Sequence, residues 1–129
     1  MNKVLMLAMA GAFGTVARYG MSTIVNSRTE SDFPLGTLVV NIVGCFLAGL
    51  FVSLGEGRFH LSEETRAIIL IGFMGAFTTF SAFILDTHSL AKDSEIPRAL
   101  ANFFLQNTVG FLMLFVGLRL GKVFFGAPA

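Results

Sequence analysis

The chain has 129 residues, of which 54% are hydrophobic and only 13% charged, against about 25% charged in soluble domains. That balance excludes an ordinary soluble globule and marks an integral membrane protein in contact with the lipid bilayer. A net charge of +1 without a polybasic tract implies no nucleic acid, and the single Cys45 excludes a disulfide or a cysteine metal site within one chain.

A spanning helix needs about 20 mostly apolar residues to cross about 30 Å of hydrocarbon. Four runs qualify, Val4 to Val25, Leu35 to Leu54, Thr65 to Leu90 and Pro97 to Leu120, and together they predict an all-α membrane protein of one transmembrane domain over 1–129. The stretches 26–34, 55–64 and 91–96 hold nearly all the remaining charged, glycine and proline residues, which suits turns between antiparallel helices.

The first run follows Met1-Asn2-Lys3 directly, outlasts a signal-peptide core and meets Arg18 without a small-residue cleavage site, so it reads as the first membrane helix. Arg18 stands about a turn from the end of that helix, where its head can snorkel to the interface. It reads as a structural anchor or as the attracting group of an anion vestibule. Asp86, near the end of the third run, falls on the same side and is expected to pair with it.

The second run carries Asn41 among Val39, Val40, Ile42 and Val43, with Thr37 one turn away on the same face. Intramembrane polar groups are expensive and turn toward the bundle interior or a water-filled cavity. The third run contains Gly72-Phe73-Met74-Gly75-Ala76-Phe77-Thr78-Thr79-Phe80-Ser81-Ala82-Phe83, a poor lipid-facing helix. Backbone groups that lose their helical partners in a bilayer find no water, so irregular backbone persists only where protein or an ion satisfies it. The segment from Gly75 to Thr78 is therefore expected to break the third helix near its centre. The fourth run repeats the second, with Asn102 and Gln106 at i, i+4.

Two amide stripes on separate helices fit either interhelical hydrogen bonding or a lined path. Neutral amide and hydroxyl donors, without intramembrane Lys or Glu, suit a dehydrated anion, whose transfer to low dielectric otherwise costs on the order of 20 kcal/mol. Phe80 and Phe83 share a face, and an aromatic ring is electropositive at its edge. No nucleophile elbow, phosphate loop or zinc motif is present, so no enzyme is expected.

Lys3, Arg58, Arg66, Arg119 and Lys122 fall on the side of the termini, against Arg28, Lys92, Arg98 and Arg18 on the other. Orientation follows Lys/Arg asymmetry, and this near-balance permits insertion both ways and hence an antiparallel homodimer.

Three stretches together carry a family resemblance: Gly11-Ala12-Phe13-Gly14-Thr15-Val16-Ala17-Arg18-Tyr19, Pro34-Leu35-Gly36-Thr37-Leu38-Val39-Val40-Asn41-Ile42-Val43-Gly44, and Gly72 through Ser81. They resemble the small bacterial fluoride channels called Fluc or CrcB, with departures at Ala10, Thr15 and Ala76. The resemblance implies an antiparallel dual-topology homodimer with two pores in the bacterial cytoplasmic (inner) membrane, exporting fluoride passively and electrogenically. It implies that Asn41 donates to the ion and that Phe80 and Phe83 supply ring edges. Thr37, Thr79 and Ser81 would add hydroxyls, and Asn102 and Gln106 would occupy the polar register of the fourth helix. It further implies a structural sodium ion at the dimer centre, held by the backbone carbonyls of Gly75 and Thr78 from both subunits. The rival readings are a proton-coupled small multidrug exporter, which needs a membrane carboxylate that the first helix lacks, and a non-transporting assembly protein.

Overall fold

Asn2 starts the first helix: its side-chain oxygen accepts the Val4 N–H at 3.1 Å and satisfies one of the donors that a helix start leaves open. The computed structural model describes residues 2–57 and 59–126. Arg58, one of the charges counted above, lies outside the described residues, as does the stretch 127–129.

Helix α1 runs Lys3–Ser27 and α2 Leu35–Glu56. Asn26 ties the intervening turn by accepting the Gly36 N–H at 3.0 Å. The third span, Glu63–Lys92, is composite. It begins with α3 (Glu63–Ala67), capped by Ser62 Oγ on the Thr65 N–H at 3.1 Å. A π-helical stretch, Ile68–Met74, follows, then the short α4 (Gly75–Phe77) and α5 (Phe80–Lys92). Helix α6 (Ile96–Phe125) forms the fourth span, with a proline in its first turn where the missing N–H costs nothing. All four spans are long and apolar enough to cross a membrane.

Helices α2 and α6 run parallel with a nearly constant register: Asn41 lies beside Gln106, Gly49 beside Gly117, and Ser53 beside Gly121. At the Gly49–Gly117 level the backbones touch. A Cβ on Gly49 would collide with the Leu114 carbonyl and one on Gly117 with the Phe46 carbonyl, so no other residue fits there. Close approach of this kind is how membrane helices gain dispersion contact when lipid is as apolar as their side chains. Ser53 Oγ donates to the Leu118 carbonyl at 2.8 Å just beyond.

On the other side, α1 packs against the π-helical stretch and α4, with Gly14 facing the Phe73 carbonyl and the Phe77 N–H. Val40, Met74 and Phe77 form the buried centre, with Ala17, Met21, Val43, Leu47 and Phe73 around them. The Phe73 and Phe77 rings stack at 5.8 Å and 9°. The outward faces are bare hydrocarbon: on α1 only Gly14 is buried, and Phe13, Val16, Phe111, Leu112 and Phe115 stand exposed. A surface like this is stable in lipid or against another membrane protein and not in water.

Candidate functional site

The site begins where the third span leaves its helical path. Thr78 (φ −83°, ψ 159°) and Thr79 (φ −148°, ψ 115°) are extended between α4 and α5. The Thr78 N–H still reaches the Met74 carbonyl at 3.0 Å, the last bond of the incoming ladder. In a continued helix the Thr79 N–H would bond the Gly75 carbonyl, and the Ala82 N–H the Thr78 carbonyl. Instead Thr79 donates to Asn41 Oδ1 at 2.8 Å, and Ala82 donates to Thr79 Oγ1 at 3.2 Å. The Gly75 and Thr78 carbonyls are thereby released from the ladder.

The position differs from the expected Gly75-to-Thr78 break. Gly75 keeps helical angles (φ −63°, ψ −30°), and Gly75–Phe77 is a turn of helix. The irregular pair is Thr78 and Thr79, where β-branched side chains favour extended backbone and Asn41 supplies a partner. The conformational freedom of Gly75 is not used.

Asn41 grips the Thr79 backbone at both ends, accepting its N–H through Oδ1 and donating Nδ2 to its carbonyl at 3.0 Å. The same Nδ2 donates to Gln106 Oε1 at 2.7 Å. Gln106 Nε2 then donates to Asn102 Oδ1 at 3.1 Å, and Asn102 Nδ2 to Thr87 Oγ1 at 2.9 Å. Thr87 Oγ1 donates in turn to the Phe83 carbonyl at 2.8 Å. Three amides and a hydroxyl thus form one directed chain across α2, α6 and α5. Its polarity has a single origin: a backbone N–H can only donate, so Thr79 fixes which end of Asn41 is oxygen, and each partner fixes the next.

Two cavities flank this chain. One, of about 230 Å³, is lined by Asn41, Cys45, Thr78, Thr79, Phe80, Phe83, Gln106 and Asn107, none of them charged. The second, of about 300 Å³, is lined by Thr15, Arg18, Tyr19, Ser22, Thr37, Val40, Thr79 and Ala82. Thr79 borders both, so the clasp between Asn41 and Thr79 lies between them. Gly75 and Thr78 line a third hollow of about 330 Å³, beside Gly44. A Cβ on Gly44 would collide with the Thr78 side chain, so glycine makes the room in which Thr78 turns.

The sequence-predicted residues therefore fall into groups. Asn41, Thr79, Phe80, Phe83 and Gln106 meet at the first cavity, and Arg18, Thr37 and Thr79 at the second. Asn102 is fully buried behind Gln106. Ser81 lines neither cavity, and its hydroxyl lies 3.4 Å from Thr79 Oγ1. Phe80 and Phe83 stand at 5.7 Å and 67°, an edge-to-face pair in which Phe83 is buried and Phe80 is 74% exposed. Arg18 and Asp86 do not pair. Among the described residues the one ion pair is Arg98–Glu95, and Asp86 Oδ2 is buried without a partner. Asp86 is not among the residues that line the Arg18 cavity, whose α5 member is Ala82.

The family model of the CrcB-like protein, Camphor Resistance (CrcB), matches residues 5–118. The chain belongs to the CrcB family. Among its relatives are proteins named fluoride-specific ion channel FluC from Desulforapulum autotrophicum and Solidesulfovibrio magneticus, each 49% identical over 95% of this chain and 98% of the relative. A third, from Nitrosococcus oceani, is 41% identical over the same shares. All three are named as ion channels, which are not an enzyme class. With four apolar spans and these relatives, this CrcB-family chain is a multi-pass protein of the bacterial inner membrane.

Several members of the site went unread in the sequence of this CrcB chain, among them Cys45 and Ser22 in the cavity walls. Thr87 ends the amide chain, and its only signal is a hydroxyl one turn past Phe83. Asn107 lines the first cavity, but it sits next to Gln106 and outside the i, i+4 stripe.

Proposed function

We propose that this chain forms a fluoride-selective channel that lets fluoride leave the cytoplasm passively and electrogenically. The observation that carries the reading is the first cavity, lined by amides, hydroxyls and the Phe80–Phe83 pair without a charged side chain. A small dehydrated anion can be held there by neutral donors and positive ring edges and still depart, whereas a fixed cation would trap it. Relatives at up to 49% identity that are named fluoride-specific ion channels support the same ion.

The working unit is an antiparallel, dual-topology homodimer. The near-even Lys/Arg distribution allows both insertions, and Phe80 and Gly75, both exposed on the single chain, offer a second copy something to cover. A sodium ion on the dimer axis is held by the Gly75 and Thr78 carbonyls of the two subunits. These are carbonyls that the Thr79 and Ala82 N–H groups abandon for side-chain partners, and free carbonyls of an interrupted membrane helix suit a small hard cation. When bound, the ion would join the released carbonyls of the two subunits across the dimer axis, a structural role. Arg18, at the second cavity with Thr37, serves as the vestibule group.

Purified protein in liposomes loaded with fluoride or chloride tests this with ion-selective electrodes. Fluoride should leave only when a potassium ionophore balances charge, without any pH gradient, while chloride stays inside. Equal chloride efflux or strict proton dependence overturns the channel. Replacing sodium by a large organic cation should slow efflux, and indifference to that exchange removes sodium from Gly75 and Thr78.

A further inference from the structure

The π-helical stretch Ile68–Met74 lies just ahead of the Thr78–Thr79 irregularity, and its wider turn absorbs a surplus residue. We propose that this residue is a register spacer: it keeps Gly75 and Thr78 on the face of the third span that lines the third hollow, and Gly14 of α1 holds the spacer in place. The inference rests on the reading that the Gly75 and Thr78 carbonyls serve a cation at the dimer centre, and deepens it.

The Gly75 N–H reaches the Leu70 carbonyl, five residues back, whereas the Thr78 N–H reaches the Met74 carbonyl, four residues back. Between those two bonds the N–H groups of Ala76 and Phe77 have three carbonyls to serve, those of Ile71, Gly72 and Phe73. One carbonyl is therefore surplus, and a bilayer has no water to offer it. An unbroken α ladder through the same residues would recover that bond. It would also turn Gly75 about 140° around the helix from Leu70, because five residues at 3.6 per turn overshoot one full turn by that angle. Leu70, Met74, Gly75 and Thr78 instead all line the third hollow. An i→i+5 turn is what brings a residue five positions on back to the same face. The stretch gives up one hydrogen bond and gains the alignment of Gly75 with Leu70.

Helix α1 is shaped to hold that register. A Cβ on Gly14 would strike the Phe73 carbonyl and stand 3.1 Å from the Phe77 nitrogen, so Gly14 sits where the spacing returns from five residues to four. The Gly72 carbonyl lies 3.7 Å from the Cβ position of Gly11. Two of the three competing carbonyls thus turn to the glycines of α1, whose Cα–H groups are the weak donors available there. Opposite them a Cβ on Gly72 would come within 2.9 Å of the Ala10 Cβ. Gly14 does not line the hollow itself and acts through the stretch, which makes it a positioning residue.

Deletion of Ile71 tests the spacer. Its side chain is 70% exposed, and removing one residue lets an ordinary α ladder join Ala67 to Gly75 with Leu70 and Gly75 still on one face. The variant should fold and pass fluoride. Deletion of Leu112, also exposed at 58% but in the regular ladder of α6, turns Gly117 about 100° away from Gly49 and should yield no folded protein. An alanine inserted between Ile71 and Gly72 adds a second surplus residue and should lower efflux at least about tenfold, the effect of losing one interaction with a charged group. Melting temperature in sodium against a large organic cation is the readout apart from transport. Sodium should raise it in wild type and in the Ile71 deletion, and not in the insertion. Gly14→Ala should abolish the sodium effect, and deleting Ile71 in the same chain should restore it. An Ile71 deletion as damaging as that of Leu112 overturns the spacer, and so does Gly14→Ala with wild-type efflux and sodium response. Failure of the deletion to restore Gly14→Ala removes Gly14 from the spacer. If sodium leaves wild-type melting and efflux unchanged, the cation reading falls, while efflux from the deletion and insertion variants still decides the spacer.

Discussion

The second and fourth spans meet at two levels, and the levels do different work. At Gly49 and Gly117 the contact is dry and so close that a Cβ on either residue would strike the opposing backbone. Eight residues earlier on α2, about 12 Å along that helix, Asn41 joins Gln106 of α6 through an amide hydrogen bond beside a cavity of about 230 Å³. Adhesion is supplied at the glycine level, where dispersion alone suffices. The amide level adds a hydrogen bond between the same helices and also satisfies the Thr79 backbone, which has left the helical ladder.

Gly117→Val is the most severe way to break this comparison. Its branched side chain would meet the Phe46 carbonyl and the Leu50 N–H, both main-chain atoms that cannot swing aside. Overpacking of well-packed contacts costs about 1–3 kcal/mol and more against rigid backbone, so no monodisperse protein should be recovered on size exclusion after extraction. Normal recovery would mean the spans can separate at that level without loss.

Asn41→Leu attacks the other level and should leave a foldable protein. It leaves the Thr79 N–H and carbonyl without partners, at about 1–3 kcal/mol for each unsatisfied group, and unpins Gln106. The expected result is a lowered melting temperature in detergent together with loss of fluoride efflux. Efflux at the wild-type rate would show that the clasp on Thr79 is dispensable. Thr87→Val is milder. It removes the acceptor of Asn102 Nδ2 at the end of the chain, and interhelical hydrogen bonds in membranes are worth about 0.6 kcal/mol, at most about 1.7. A small fall in melting temperature and a reduced but measurable efflux are expected; a loss as large as that of Asn41→Leu would mean the chain acts as one unit.

Much of the site was legible because a bilayer makes polar residues conspicuous. Asn41, Asn102 and Gln106 stand out against valine, leucine and phenylalanine by hydropathy alone, and i, i+4 spacing puts the last two on one face. Thr87 did not stand out, because a threonine hydroxyl can always return to its own helix, as this one does to the Phe83 carbonyl. The expected partnership of Arg18 and Asp86 failed for a related reason: charge and side of the membrane can be read from order along the chain, but not which side chains the packing brings within contact distance.

The sequence by itself determined four apolar spans, the near-balance of charge at their ends and the polar positions within them, because each follows from composition over a window as long as the bilayer is thick. Only the tertiary structure decided where the third span becomes irregular and which groups the Asn41 amide satisfies. Local preference pointed to Gly75. The extended pair is Thr78–Thr79, since Asn41 on another helix captures the Thr79 N–H, and a hydrogen bond between residues 38 positions apart leaves no trace in either stretch read alone.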